Sequence, residues 1–517
     1  KTGVLTLGQI DTRTILPEHM PWHKRPLSTL MQRIDQAKAR DLPIRRTALP
    51  EGDFKLVQAT VHVHTKQSDG MGTVTSISEK AKAGGQEVIV FTDHNHLAAR
   101  DGVKPGDKRI PDQDVPVIAE TPKWYSQQFA EAAQQTEPGK FVALIGSEMG
   151  TIGKVGNPHQ GGKNHFLMLE MPQFFEAVRH KKTTLETLQE PVRRLFGLKP
   201  IPETVPPQVV KYNDGDMKGL ISHIESNGLK DTAGKDPVFI MAHPRWSQDH
   251  SKSLPAGTRG ADYGRYSYKT KEEWRASTDK YFRQIEVIKG QALNPNEVVE
   301  VGAKDIDFTS FKGYINDGFH VSPTVGRDAH FGNPLGNPAE TGILVNRLDK
   351  NSVLEGLRER RTIATTNMER LNGTVVANDR FQMGSILDQA VTPDLKLSTR
   401  IGGIVDDAAE YTFRLWGDKK TGDRTFAAVM QEEKMTGQQL AGSGNEFSFA
   451  KVRHQLGNKG AYFVEVLRKD PGTGHTDHMY AAPFWVEPLS GGGKHSLFMK
   501  FMAGTGANTY LPSPIGG

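Results

Sequence analysis

The stretch from Thr60 to His96 constrains this chain more than any other. It reads TVHVHTKQSDG, then a short helical segment, then EVIVFTDHNH. The first and last runs are short, apolar and rich in β-branched residues, which predicts strands. Thr73–Ala83 between them predicts a helix stopped by Gly84 and Gly85. Residues i and i+2 of a strand point to the same side. His62 and His64 therefore send two imidazoles into one space. Asp69 follows in the loop, and Asp93 and His94 end the second strand. A β-α-β unit with metal-type donors at its strand ends restricts what the remaining chain can build.

The alternation continues. Helices are predicted at Trp124–Gln135, Met217–Asn227, near Ile306–Asp317 and at Ser352–Arg360. Strands are predicted at Phe141–Ile145, His165–Glu170, Val238–Ala242, Gln284–Ile288 and Val321–Gly326. Strands alternating with helices predict an α/β fold, a parallel sheet with outer helices. The number of units points to a closed or nearly closed barrel. Long polar loops at 97–123, 151–164 and 245–280 each follow a strand end, where a barrel carries its active-site face.

After about Asn372 the pattern changes to short strands split by Gly, Asp and Asn, with apolar alternation at Tyr411, Phe413 and Leu415. This predicts a small all-β sandwich. The chain divides into an N-terminal extension (1–53, with one helix at Ser28–Lys38), a barrel (54–370), a β-sandwich (371–490) and a Gly-rich tail (491–517).

Composition bears on the partners. A formal net charge of +5 over 517 residues makes no case for nucleic acid. The basic runs RHKK (179–182) and RERR (358–361) read as solvated helix ends. No run of 18 apolar residues is present, so no membrane span is predicted. With no cysteine, thiolate metal sites, disulfides and a Cys nucleophile are excluded. A periplasmic or secreted location is the expectation, and the oligomeric state is not assigned.

The chemistry collects at the strand ends. In order they supply His62, His64 and Asp69, then His94, Glu148, His165, His243, and finally Asp328 and His330. His165 is the exception, because it begins its strand. A lone histidine is more often a satisfied core or surface residue than a ligand. Six histidines and three carboxylates on successive units of one fold are a different matter. Imidazole and carboxylate suit divalent zinc, manganese or iron. Nine donors exceed the needs of one ion, so a cluster of two or three is expected. His19, His23, His180, His223, His454, His475, His478 and His495 lie in no such constellation.

The motifs HVHT…SDG, FTDHN, GSE, NHF, AHPRW and GRDAH resemble those of the polymerase and histidinol phosphatase (PHP) superfamily, over about residues 55–370. The resemblance implies a distorted (β/α)7 barrel and a bi- or trinuclear centre held by the nine residues named above. It implies for Asp93 a role in orienting a ligand rather than binding metal. GILVNRLDKNSVLEGLRERRTIATT, followed by a β domain ending in APFWVE, is similar to the exported PHP hydrolases grouped with carbaryl hydrolase.

The expected activity is phosphoesterase. A metal-bridging hydroxide attacks phosphorus in the ester of a small molecule. Arg245, Arg327, Lys66 and Lys163 are candidates for neutralising phosphate, and His96 or His159 for protonating the leaving group. A carboxylic or carbamate ester hydrolase would use the same centre. It would call for an aromatic wall from Trp124, Tyr125, Trp246, Tyr263, Tyr266 and Tyr268. A non-catalytic surface- or carbohydrate-binding protein is the third alternative. Trp416 and Trp485 of the β region are read as core.

Overall fold

The structure is a computed structural model. It describes residues 54–95, 123–149, 165–175, 177–178, 212–213, 217–244, 263, 268–291, 301–334, 338–389, 392–402, 405–417, 428–453 and 459–488. The helix expected at Ser28–Lys38, the three long loops for most of their length and the Gly-rich tail lie outside these residues.

Counting strands of four or more residues, seven follow one another in the first part. They are β1 (Lys55–Val63), β2 (Val88–His94), β3 (Val142–Met149), β4 (Phe166–Leu169), β5 (Val238–Met241), β6 (Phe282–Lys289) and β7 (Ser322–Gly326). They lie side by side in chain order within one larger sheet. The pairs β1–β2, β2–β3, β5–β6 and β6–β7 are parallel. The short β4 is antiparallel to both neighbours, which departs from the all-parallel expectation. Its reversed direction puts the start of β4 at the same edge as the ends of the others. That is why His165 precedes its strand.

The seven strands do not close into a continuous barrel. The sheet is open as a hydrogen-bonded ladder. β7 and β1 are joined beyond Gly326 by Arg327 N→Val61 O (3.1 Å), Ala329 N→His62 O (3.0 Å) and His64 N→Ala329 O (2.9 Å). These form one isolated parallel bridge, Val63 to Ala329.

Helices cover the outer faces. α1 (Val74–Ala83) opens on Thr73, whose side chain accepts from Ser76 N, while Ser76 Oγ accepts from Thr73 N. It ends at Gly84, and Gly85 takes a positive φ of 79° that suits glycine. Its buried residues Val74, Ile77, Ser78 and Ala81 follow helical spacing. With Tyr125 and Ala132 of α2 (Lys123–Gln135) they cover Ile89, Phe91 and Ile145. The opposite faces of β2 and β3 turn Val88, Val90, Val142 and Leu144 into a second cluster. Strands buried on both faces read as unbroken apolar runs. Further helices are α3 (Met217–Ser226), α4 (Lys271–Thr278), α5 (Phe308–Asn316) and α6 (Lys350–Arg358).

On its other side β1 pairs antiparallel with β8 (Glu340–Val345), and β8 with β9 (Thr362–Thr365). From there the sheet runs into the C-terminal β-rich region. β9 pairs with a strand at Thr476–Ala481, which pairs with Gly460–Lys469. A second sheet carries Asn372–Ala377 and Leu397–Gly402. Val375, Leu397 and Ile401 of the second sheet share a core with Phe413, Val464 and Val466 of the first. The region is not purely β, because a short helix spans Gly437–Gly442. Trp416 stacks on Phe463 and meets Phe308 of α5 edge-on, so it packs toward the α/β part. RERR is not a solvated helix end. Arg360 and Arg361 are buried, and Arg358 pairs with Asp231.

One contact between the two parts titrates. His320, just before β7, places Nδ1 2.6 Å from Asp279 and Nε2 3.3 Å from Glu487 of the β-rich region. Lys459 lies 3.0 Å from Glu487. Burial opposes charge on all three, but the pairing prevails. Asp279 and Glu487 are held at about 2, and His320 is raised. A histidine raised on folding adds stability below its unfolded value. That stability is lost as pH rises through the folded value. The two carboxylates add stability above their unfolded values, lost as pH falls toward about 2. Thermal melts should therefore fall off above about pH 6.5. His320→Gln should flatten that limb and cost about 2 kcal/mol near neutral pH. An unchanged pH profile in the variant would exclude this linkage.

Candidate metal centre

The nine donors picked out in the sequence meet at one end of the seven strands. β2 and β3 pair with His94 opposite Glu148. The start of β4 adds His165, and the segments after β5 and β7 add His243, Asp328 and His330. Three overlapping groups form: His64, Asp69, His94 and His330; His62, His64, Glu148 and Asp328; and His94, Glu148 and His165. Within each, one donor atom per residue lies within 4.8 Å of the others.

Glu148 sits at the middle, with a fully buried side chain. Its Oε2 lies 3.5 Å from His62 Nε2, 3.4 Å from His64 Nε2 and 2.8 Å from His94 Nδ1. Its Oε1 lies 2.5 Å from His165 Nδ1 and 3.0 Å from His243 Nε2. Asp328 Oδ1 is 3.3 Å from His64 Nε2. Asp69 Oδ2 is 3.4 Å from His94 Nε2 and 3.2 Å from His330 Nε2. Donors held about 2.1 Å from a shared tetrahedral ion stand about 3.4 Å apart, which the spacings of 3.2–3.5 Å match, while His94, His165 and His243 stand at hydrogen-bond distance from Glu148. Among the described residues, the buried His62 Nε2, His64 Nε2 and Glu148 Oε2 have no hydrogen-bond partner. Buried polar atoms are rarely left so unless a ligand is to satisfy them. The residues fit divalent ions.

The HxH pair shares one space, with ring centroids 5.1 Å apart, though not through an unbroken pleat. The β1–β2 register shifts between Val61 and Val63. His62, at the shift, has φ 71°. His243 (φ 26°) and Asp328 (φ 46°) are also left-handed. Such residues cost about 1–3 kcal/mol each and persist where their surroundings over-determine them.

The charges are arranged to hold cations. Burial opposes ionisation of Glu148, but His165, His94 and His62 keep its carboxyl well below the usual range. Against the same opposition, neighbouring histidines hold down Asp69 and Asp328. Burial works against protonating His62, His94 and His330, yet the facing carboxylates raise all three, His330 to about 9. Burial lowers His64, helped by His330 and His94, and it lowers His165 against the pull of Glu148.

Asp93 does not hold His94. Its carboxylate accepts from Thr65 N (2.7 Å), Thr65 Oγ1 (2.7 Å), Ser68 Oγ (2.6 Å) and Gln128 Nε2 (2.5 Å). It therefore fixes the loop that carries Asp69. Arg327 is corrected too. Its side chain is buried, donates to Pro334 O and Ala339 O, and pairs with Glu340. Nothing in that geometry offers it to a phosphate. Lys66 is exposed on the loop after β1. His96, His159, Lys163 and Arg245 lie outside the described residues, as do Trp246 and Tyr266. Tyr125, Tyr263 and Tyr268 are core residues, with hydroxyls bonded to Met171 O, Ala242 O and Ser277 Oγ. They form no aromatic wall over the centre.

Two residues at the site carried no motif: Gln291, whose Nε2 donates to Asp328 Oδ2 at 2.9 Å, and Glu286. Glu286, in the middle of β6, places Oε1 2.8 Å from His62 Nδ1, and its Oε2 accepts from His243 N at 2.6 Å. A glutamate inside the run QIEVIK looks like any strand residue. The only hint was its place among apolar neighbours.

Residues 60–233 match the model of the PHP domain. Six of the nine donors fall in that span. Among solved structures, a two-domain protein from Bacteroides vulgatus containing a predicted PHP-like metal-dependent phosphoesterase is 12% identical, with a TM-score of 0.37. That alignment covers 85% of this chain and 98% of that one. A protein from Bifidobacterium adolescentis, described as a metal-dependent phosphoesterase, is 13% identical over 53% of this chain and 88% of its own, with a TM-score of 0.26. An amidohydrolase from Chromobacterium violaceum, with bound sulfate and no metal, is 13% identical over 53% and 87%, with a TM-score of 0.23. No curated protein matches the chain. Among the described residues no helix is long and apolar enough to cross a membrane.

Proposed function

We propose that this chain is a metal-dependent phosphoesterase, with a distorted seven-stranded PHP-type barrel that holds two or three divalent ions. The observation that carries the reading is the set of three overlapping donor groups, two of which share Glu148, in a chain whose residues 60–233 match the PHP domain. His62, His64, Asp69, His94, Glu148, His165, His243, Asp328 and His330 would hold the ions. Bound there, zinc, manganese or iron would supply Lewis acidity to a phosphoryl oxygen and a water made acidic near neutral pH.

The chain's own residues set the approach. His62, His64 and Glu148 have fully buried side chains, while those of Asp69, Asp328 and His330 are 21%, 16% and 20% exposed. A substrate would reach the centre across that rim, with water excluded behind it. His96 or His159 would protonate the leaving group and Arg245 would meet the phosphate.

Two measurements test this. Elemental analysis of the purified protein should find at least two transition-metal ions per chain, and one or none would defeat the cluster. Aryl phosphate mono- and diesters should turn over faster than aryl acetates and carbamates when assayed side by side with manganese or zinc. A large excess of acetate or carbamate turnover would reverse the substrate class.

A further inference from the structure

We propose that Glu286 is a positioning residue of the metal centre, fixing through one carboxylate both the tautomer of His62 and the backbone that presents His243. The inference rests on the metal-centre reading above. The backbone N–H of His243 can only donate, so Glu286 Oε2 must accept it, at 2.6 Å. The other oxygen then faces His62 Nδ1 at 2.8 Å. With both oxygens of the carboxylate acting as acceptors, a neutral, ligating His62 keeps its proton on Nδ1. Nε2, 3.5 Å from Glu148 Oε2 and 3.6 Å from Asp328 Oδ1, is then the nitrogen left to bind an ion. Partners of this kind hold ring orientation and raise ligand basicity.

Two further observations agree. His62 and His243 are two of the three left-handed donors, and one side chain on a third element ties both. Moreover, a Cβ on Gly326 would overlap the Glu286 carboxylate. The neighbouring strand therefore leaves out a side chain where this carboxylate lies. A strand glycine in such contact marks a close approach rather than a turn.

Glu286→Gln separates positioning from simple packing. Glutamine keeps the shape, and its oxygen can still accept from His243. Its amide N–H then faces His62 Nδ1 and forces the proton onto Nε2, the wrong nitrogen for a metal. Zinc affinity, measured on the full chain by competition with a chromophoric chelator, should fall about 10–100-fold. The melting temperature of the metal-free protein should stay near that of the wild type. A folded variant that binds zinc as tightly as the wild type overturns the proposal. A second measurement needs no variant. In the zinc-loaded wild type, nitrogen NMR should show the His62 proton on Nδ1, and finding it on Nε2 overturns the proposal. A wild type that binds no zinc, manganese or iron defeats the metal-centre reading itself, and the tautomer argument falls with it.

Discussion

Glu148→Gln should leave the protein without detectable phosphoesterase activity and with at least one fewer metal ion per chain. Among the described residues of the centre, Glu148 meets five of the six histidines. Its two oxygens lie between 2.5 and 3.5 Å from ring nitrogens of His62, His64, His94, His165 and His243. It belongs to two of the three donor groups. The amide removes the buried negative charge and turns N–H donors toward lone pairs that should face metal. The loss of affinity should exceed the roughly 10–100-fold typical of outer partners. Elemental analysis and zinc titration read the first effect, and hydrolysis of an aryl phosphate reads the second. Melting with and without added metal gives a third check. A ligand that binds only the folded state stabilises it by about 2.7 kcal/mol at a hundred times its Kd. That increment should shrink in the variant. Wild-type metal content and turnover in Glu148→Gln would remove Glu148 from the centre.

Most of the donor set was legible because metal sites at strand ends leave a local record. His62, His64, His94, Glu148 and His243 each follow an apolar run, and the strand pattern fixes where that run ends. His165 broke the rule at the sequence level for a reason only pairing reveals, since β4 runs antiparallel to its neighbours. What could not be read were contacts set by register between distant strands. Glu286 meets His62 across 224 positions, and Arg327 turns inward to Glu340 instead of outward. Both depend on which face a mid-strand or post-strand residue takes, and periodicity is silent where both faces are buried. The same holds for RERR. Charge alone predicts solvent, yet β9 continues the sheet into the C-terminal region and the β-rich part packs over Arg360. The separation of barrel and sandwich at about residue 370 is likewise less sharp in structure. Trp485 and Phe463 share a core with Phe311 of α5, and the sheet passes through β9 without a break.

The largest loss of stability from a residue outside the centre should come from Glu340→Ala. Glu340 and Arg327 are 1% and 2% exposed and pair directly. Burial pushes the Glu340 carboxyl up to about 7 against the pull of Arg327. Thr60 Oγ1 (3.3 Å) and Gln86 Nε2 (2.9 Å) donate to the same carboxyl. The group thus ties β8 to β1 and to the turn before β2. Arg327 extends the tie to the end of β7 through its backbone bond to Val61 O. This is the seam where β7 meets β1 without a continuous ladder, one residue before Asp328. Removing Glu340 leaves a buried guanidinium without its counter-charge, which should cost about 3–5 kcal/mol. Urea unfolding of the metal-free protein measures it. Arg327→Met with Glu340→Leu removes both charges and should cost clearly less, because an apolar pair of similar volume often replaces a buried ion pair at little net cost. If Glu340→Ala lies within about 1 kcal/mol of the wild type, the pair is not what holds the seam. If the double variant is as unstable as the single one, the loss comes from packing rather than from the orphaned charge. The single variant should also bind metal more weakly, since Asp328 loses the support of the residue before it. Zinc titration of the two variants, each compared at equal folded fraction, separates that local effect from the global loss.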